Sequence, residues 1–282
     1  MFEIIYRYDP EHPPSRRPPQ DADEACRRLE EGNRLFAGTV VDAMTGTRVV
    51  PIDLVDIGLA ATSDVLKQHP FAAVLGCSDA RAPTELIFDR ACNELFVVRV
   101  AGNILGEAPL GSIGYAVDHL GESLKLIVVL GHSRCGAVSA AVDAYVTPVK
   151  YLGLFATHHV RGIVDMLLMA VRAAARNLEG VWGESVKERP GYRAALIECA
   201  VVFNAAITAA ILQRSFGPPT NDRRVVYGVY DLESRRVHVP LSAGEGGEPV
   251  VGLHTPPVTD DEFRQFASDV VKSAHVTAIL GH

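Results

Sequence analysis

Positive charge is in short supply. The chain has 27 Lys and Arg against 34 Asp and Glu, a formal net charge of -7. It therefore carries no electrostatic footprint for nucleic acid or for an anionic membrane surface, and a small-molecule substrate is expected. No segment is expected to approach the apolar run of about 18 residues or more that a bilayer span requires. The opening residues, Met-Phe-Glu-Ile-Ile-Tyr followed by charged and Pro-rich sequence, lack the apolar core of a signal peptide, so a cytoplasmic location is expected. Cysteine is sparse and odd in number: five at scattered positions do not make a disulfide framework in 282 residues. Internal repeats and low-complexity tracts are lacking too.

What is there is a chain with 48% hydrophobic residues, able to bury a large core, and we read it as one main domain. Residues 1–20 form an extended lead-in, with five of the 17 prolines between residues 9 and 21. A helix starting near Asp21 places Ala25, Leu29, Gly32 and Leu35 on one stripe that must be covered, for instance by a partner subunit. A short helix is predicted near Thr62 to Gln68. Residues 21–242 then read as a single α/β domain with a mostly parallel central sheet, one antiparallel edge strand and flanking helices. The predicted strands are Phe71–Gly76, Glu94–Ala101 and Leu124–Leu130, separated by helices at Pro83–Arg90 and Leu110–Leu120 and followed by one at Cys135–Tyr145. A helical insert spans about 146–191. In it, the long apolar helix His158–Leu178 begins with two histidines that read as solvated or core positions. Tyr192–Phe216 is apolar nearly all round, more than one domain is expected to cover, and so is read as buried between subunits. Arg224–Tyr230 and Arg235–Val239 make a hairpin, and the C-terminal tail, 243–282, has a capped helix from about Thr259 to Ala274.

The chemistry-bearing residues gather at two predicted strand ends. Phe71-Ala-Ala-Val-Leu-Gly-Cys-Ser-Asp-Ala-Arg81 ends in Cys77, Asp79 and Arg81, and Leu126-Ile-Val-Val-Leu-Gly-His-Ser-Arg-Cys-Gly136 ends in His132 and Cys135. In open parallel sheets, sites collect at the carboxyl ends of strands. A lone buried Cys or His is more often a core residue, but these five together have few structural reasons to be there. Two thiols and an imidazole make a zinc site lacking its fourth ligand. Cys135 at a helix amino end is expected to favour the thiolate. Cys26, Cys92 and Cys199 have no such company and read as small buried hydrophobes. Gly131-His-Ser-Arg-Cys-Gly136 fails the Gly-x-Ser-x-Gly pattern of a nucleophile elbow. Gly102, Gly106, Gly111 and Gly114 are too widely spaced for a dinucleotide fingerprint and read as turns after the second strand.

The motifs Cys77-Ser-Asp-Ala-Arg81, Phe96-Val-Val-Arg-Val-Ala-Gly-Asn103, Tyr115-Ala116 and Gly131-His-Ser-Arg-Cys-Gly-Ala137 resemble those of the β-class carbonic anhydrases. A looser likeness runs from Glu24 through Glu31-Gly-Asn-Arg-Leu-Phe36 to Val237. The resemblance implies Zn2+ held by Cys77, His132 and Cys135. Asp79 would be either the fourth ligand or the partner of a zinc-bound hydroxide, and Arg81 would pair with Asp79. It implies reversible hydration of carbon dioxide to bicarbonate by a homodimer or higher even oligomer. Gln68 would donate an amide hydrogen bond to substrate, while Phe96 and Tyr115 would come from the neighbouring subunit. The sequence departs from the family at Ala80, Val100 and Gly114, and Val74 stands where bicarbonate-inhibited members carry Trp. Two rivals share the zinc residues: a hydrolase of carbon disulfide or carbonyl sulfide, and a catalytically silent zinc-stabilised scaffold protein. Against the second, a closed structural site needs no carboxylate and guanidinium beside it.

Overall fold

The run Ala72-Ala-Val-Leu-Gly76 alternates between two different apolar surroundings, and that alternation organises the molecule. In the computed structural model, which describes residues 2–12, 17–41, 46–56, 59, 67–149, 152, 158–217, 223–241 and 250–281, this strand is buried at every position. Leu126–His132 is likewise buried throughout, the mark of strands covered on both faces of a parallel sheet. Ala73, Leu75, Ile127 and Val129 face one core cluster; Ala72, Val74, Leu126, Val128 and Leu130 face the other.

Among the described residues the order in the chain is β1 (Phe2–Arg7), α1 (Ala22–Val41), β2 (Gly46–Pro51), β3 (Ala72–Gly76), α2 (Thr84–Ile87), β4 (Leu95–Arg99), α3 (Glu107–His119), β5 (Leu126–His132), α4 (Gly136–Val146), α5 (His158–Trp182), α6 (Tyr192–Phe216), β6 (Arg224–Tyr230), β7 (Val237–Val239), β8 (Val250–Val251), α7 (Asp260–Val271) and α8 (Ala274–Gly281). The main sheet runs β4-β3-β5-β6-β7-β8. β4, β3, β5 and β6 are parallel, with Gly76 opposite both Arg99 and Leu130, and His132 opposite Tyr230. β3 connects to one side and β5 to the other, so the crevice between their carboxyl ends is the topological switch point where such sheets bind ligands.

The mostly parallel sheet of the sequence reading is present, with differences at its margins. β7 is antiparallel to β6 as the hairpin predicts, but β8 from the tail pairs with β7 and becomes the edge. β1 and β2 form a separate parallel pair where the sequence reading had only an extended lead-in and uninformative residues. α2 is a single turn, not the whole of Pro83–Arg90. The tail helix splits in two around Ser273, whose backbone N–H turns back to Val270 O. Gly111 and Gly114 lie inside α3 and are not turn residues. Most of the predicted Thr62–Gln68 helix lies outside the described residues.

Three expectations about exposed and buried surface are corrected. The α1 stripe is Ala22, Ala25, Leu29, Gly32 and Phe36, and it is covered within the chain by Phe71, Ile87, Phe88 and the adjoining sheet face. A Cβ on Gly32 would meet Phe88 O at 1.8 Å, so only glycine lets α1 approach this closely. Leu35 falls off that stripe and is exposed. α6, Tyr192–Phe216, is long and apolar enough by length and composition to cross a bilayer, contrary to the sequence reading, yet 83% of its apolar window is buried inside the chain against α5, β5 and β6. Neither helix therefore leaves an uncovered face that by itself demands a partner. Cys199 is buried as expected and Cys26 is half-buried, but Cys92, in the short connection before β4, is exposed.

Candidate metal centre

β3 ends at Gly76 and hands the chain to Cys77; β5 ends at His132 and turns through Ser133 and Arg134 to Cys135, the residue capping α4. The ligand atoms offered by Cys77, His132 and Cys135 all lie within 4.8 Å of one another, with the three residues 6%, 1% and 2% exposed. His132 Nδ1 lies 3.0 Å from Ser133 O and so carries its proton toward that carbonyl. His132 Nε2 is left buried with no hydrogen-bond partner, close to the two sulfurs. A buried polar atom without a partner is costly. Two soft sulfurs and an imidazole nitrogen supply what a tetrahedral zinc takes, and the orphaned nitrogen is what a metal would satisfy, so the residues present fit the ion.

The two buried sulfurs lie close enough to bias each other's ionisation. Hydrogen bonding from Cys135 draws the Cys77 thiol well below its ordinary value, with burial opposing and His132 and the backbone N–H of Gly102 helping. Cys135 is pushed up by that same bond to Cys77 and by burial, despite the backbone N–H groups of Ala137 and Val138. With no cation present, the helix amino end is outweighed at Cys135 by the neighbouring Cys77 sulfur and by burial; a bound metal ion would favour the thiolate at both. Two adjacent buried negative charges are too costly without a cation, and Cys77 has more donors. Burial would lower the His132 pKa, but the Cys77 thiolate outweighs it and the net direction is up.

Asp79 sits beside the cluster, Oδ2 3.8 Å from His132 Nε2. Arg81 holds it through a two-pronged contact, Nε to Oδ1 at 3.0 Å and Nη2 to Oδ2 at 2.7 Å, and the Arg81 backbone N–H adds a third bond to Oδ1. The Arg81 guanidinium keeps the Asp79 carboxyl far below the usual carboxylate range. Asp79 is thus an acceptor at the mouth of the cluster, with side chain 18% exposed.

The other three sequence-predicted positions are elsewhere. Phe96 pairs with Ala73 in the β3–β4 register, four residues before Cys77 and so about 13 Å back along the strand. Tyr115 on α3 lies against it, ring centroids 6.3 Å apart, and is 46% exposed. Gln68 is exposed just before β3, beside His69, whose N–H bonds Asn93 Oδ1 ahead of β4. One chain does not bring these residues to its own cluster.

Several supporting residues escaped the sequence reading. Arg99, within the Phe96–Asn103 motif, donates to the carbonyls of Cys77 and Asp79. Ser133 Oγ donates to Asp231 and accepts from Leu232 N. Arg134, in the left-handed region at φ 54, donates its N–H to Glu198 on α6. Asn204, also on α6, donates to Gly102 O at 2.9 Å, and Gly102 N–H donates to Cys77 Sγ at 3.3 Å. The polar positions of an otherwise apolar α6 were the available signal, since a buried polar side chain must find partners.

The profile of the family described as carbonic anhydrase matches residues 72–213, half of the chain, and takes in both strand ends and most of α6. Carbonic anhydrase 2 of Mycobacterium tuberculosis (strain CDC 1551 / Oshkosh) is 39% identical over 155 residues, covering 54% of this chain and 66% of that relative, just under two thirds of its length. A carbonic anhydrase of Mycolicibacterium smegmatis is 39% identical over 179 residues, covering 55% of this chain and 81% of the relative. Among solved structures, the beta-carbonic anhydrase CcaA is 26% identical, covers 66% of this chain and 85% of its own, and has a TM-score of 0.48. With both ligand-bearing strand ends and the Asp79–Arg81 pair inside or beside these matches, the chain belongs to the β-class carbonic anhydrase family.

Proposed function

We propose that the protein is a zinc-dependent carbonic anhydrase, interconverting carbon dioxide and bicarbonate. The observation that carries this is a buried Cys77–His132–Cys135 cluster with an orphaned imidazole nitrogen, flanked by a carboxylate that a guanidinium grips on both oxygens. Cys77, His132 and Cys135 would hold the ion. Bound there, zinc supplies a Lewis acid that brings the pKa of a water toward neutrality. Asp79 offers an acceptor that orients the proton of the attacking water. Arg81, bound to both Asp79 oxygens, would restrain the carboxylate from turning onto a bound ion. A structural zinc site needs neither feature, which is why we favour an enzyme over a silent scaffold.

We propose further that the substrate pocket is shared between chains. Gln68, Phe96 and Tyr115 then serve a neighbouring copy's cluster, in a homodimer or a multiple of one. The support is that the Phe96–Tyr115 pair is ring-packed and partly exposed yet remote from the cluster of its own chain.

The deciding experiment is stopped-flow hydration of carbon dioxide on protein whose zinc content has been measured. Hydration that scales with bound zinc is expected. Zinc-loaded protein inactive at every pH would favour the scaffold reading, and turnover of carbon disulfide or carbonyl sulfide in its place would favour the hydrolase.

A further inference from the structure

Gly102 joins the metal cluster to α6. Its backbone is left-handed, φ 69 and ψ 17, and a Cβ there would lie 3.1 Å from Leu167 Cδ1 and 3.2 Å from Ala137 Cβ. The conformation favours glycine, and the space for a side chain is tight. The residue that can adopt this turn is also the one least able to hold it, because glycine has no side chain to restrict its peptides. Of the two peptide groups flanking Gly102, the first donates its N–H to Cys77 Sγ and the second accepts the amide N–H of Asn204. Both bonds are buried. Asn204 is 6% exposed on a helix whose neighbouring side chains are almost all apolar, so its amide is spent on this one carbonyl at a cost that packing alone does not explain.

We infer that Asn204 is a positioning residue for the metal: it locks the Gly102 turn so that the Gly102 N–H stays on Cys77 Sγ, and so sets how strongly that sulfur donates. This rests on the metal reading of the preceding section. An N–H···S bond draws electron density from a thiolate and fixes its direction. Partners of this kind tune metal sites, and their loss typically costs roughly 10- to 100-fold in affinity or activity. Without Asn204 the Gly102–Asn103 peptide keeps only the Asn103 N–H bond to Val100 O, so the Gly102 N–H is held less firmly on the sulfur, which is left more electron-rich and less well aimed.

The test uses the full chain loaded with Co2+ in place of zinc, read by its thiolate-to-cobalt charge-transfer absorption, together with the rate at which the zinc form releases its metal to a chelator. Asn204→Leu keeps the volume and removes the donor; Asn204→Ala is measured beside it, so the result does not hang on how one side chain packs. Thr208→Val, one turn further along α6 and equally buried, is the control for general loosening. In both Asn204 variants the charge-transfer band is expected to move to longer wavelength and zinc release to quicken roughly tenfold or more, while Thr208→Val changes neither, even if its melting temperature falls as far. Asn204 variants whose band superimposes on the unsubstituted protein's would overturn the role, as would a Thr208→Val shift of the same size. If the unsubstituted protein takes up cobalt with no charge-transfer band, no thiolate holds metal, and the metal reading falls first and this inference with it.

Discussion

The two ends of the central sheet differ in how firmly their side chains are held. At the carboxyl end, Cys77, His132 and Cys135 converge, and every turn between them is tied down: Arg99 on the Cys77 and Asp79 carbonyls, Glu198 on Arg134, Asp231 on Ser133, Asn204 on Gly102. Toward the amino end, Phe96 and Tyr115 pack on each other at a partly exposed surface and Gln68 is exposed. A metal site demands donor atoms fixed within fractions of an ångström, which a single folded core provides. A pocket for a small apolar gas demands only shape and a few contacts, which can be supplied across an interface. Under the proposed shared pocket, the difference teaches that metal binding should behave as a property of the chain and turnover as a property of an assembly.

The largest effect should come from breaking the carboxyl end itself. Cys77→Ser and Cys135→Ser are each expected to lose most of the bound zinc, because a neutral hydroxyl is a poor ligand where a thiolate is needed. Metal analysis after dialysis checks this, and the melting temperature should fall with the metal. Full zinc occupancy in both would show that the donors have been misassigned.

Next in size is Arg81→Ala. Zinc should stay, since none of the three donors is touched, while carbon dioxide hydration drops by roughly 10- to 100-fold as the released Asp79 carboxylate swings onto the metal. Removing Asp79 as well, in the double variant, should reopen that position and recover part of the activity at alkaline pH. Undiminished hydration by Arg81→Ala with zinc in place would reduce the pair to a surface salt bridge.

The amino end is tested by Phe96→Ala and by dilution. Phe96→Ala should keep its zinc and lose roughly tenfold in kcat/KM, the scale of one apolar contact in a pocket. Specific activity of the unsubstituted protein should fall on dilution in step with dissociation seen by light scattering, while zinc per chain stays constant. A fully active monomer would erase the distinction between the two ends.

How much of this was legible beforehand follows the same division. The carboxyl-end residues could be read because each sits directly after an apolar strand of readable length, so sequence spacing fixes position: Cys77 after Gly76, His132 closing β5. The braces could not. Asn204 lies 102 residues from Gly102 and Glu198 lies 64 from Arg134, and nothing local in an apolar helix says which distant carbonyl or N–H its polar side chains meet. The α1 stripe was misread by one position, Leu35 for Phe36, because 3.6-residue spacing drifts over four turns. Cys92 was misjudged because cysteine's habit of burial says nothing about a residue in a short connection. β1, β2 and β8 were missed because short strands at a margin owe their pairing to partners far along the chain.

The smallest expected effect belongs to a region that lies at neither end, and it separates general instability from damage to either site. α7 opens with a reciprocal cap: Thr259 Oγ1 accepts the Glu262 N–H at 3.2 Å, and Glu262 Oε2 accepts the N–H groups of Val258 and Thr259. The helix packs Phe266, Ala267, Val270 and Val271 onto the same core that holds α6. Thr259→Ala should cost about 1 kcal/mol of stability with zinc content and hydration unchanged. The backbone N–H groups of Val258 and Thr259 hold the Glu262 pKa below its ordinary value. A carboxylate depressed in the folded state stabilises it above the unfolded-state pKa, and that contribution is lost as pH falls toward the depressed folded value. The difference in melting temperature between the unsubstituted protein and Glu262→Gln should therefore be full near neutral pH and shrink through the acidic range. A difference that stays constant with pH would mean that the carboxylate's charge contributes nothing to the cap, and a fall in zinc content would mean that the tail reaches the metal loops through the shared core.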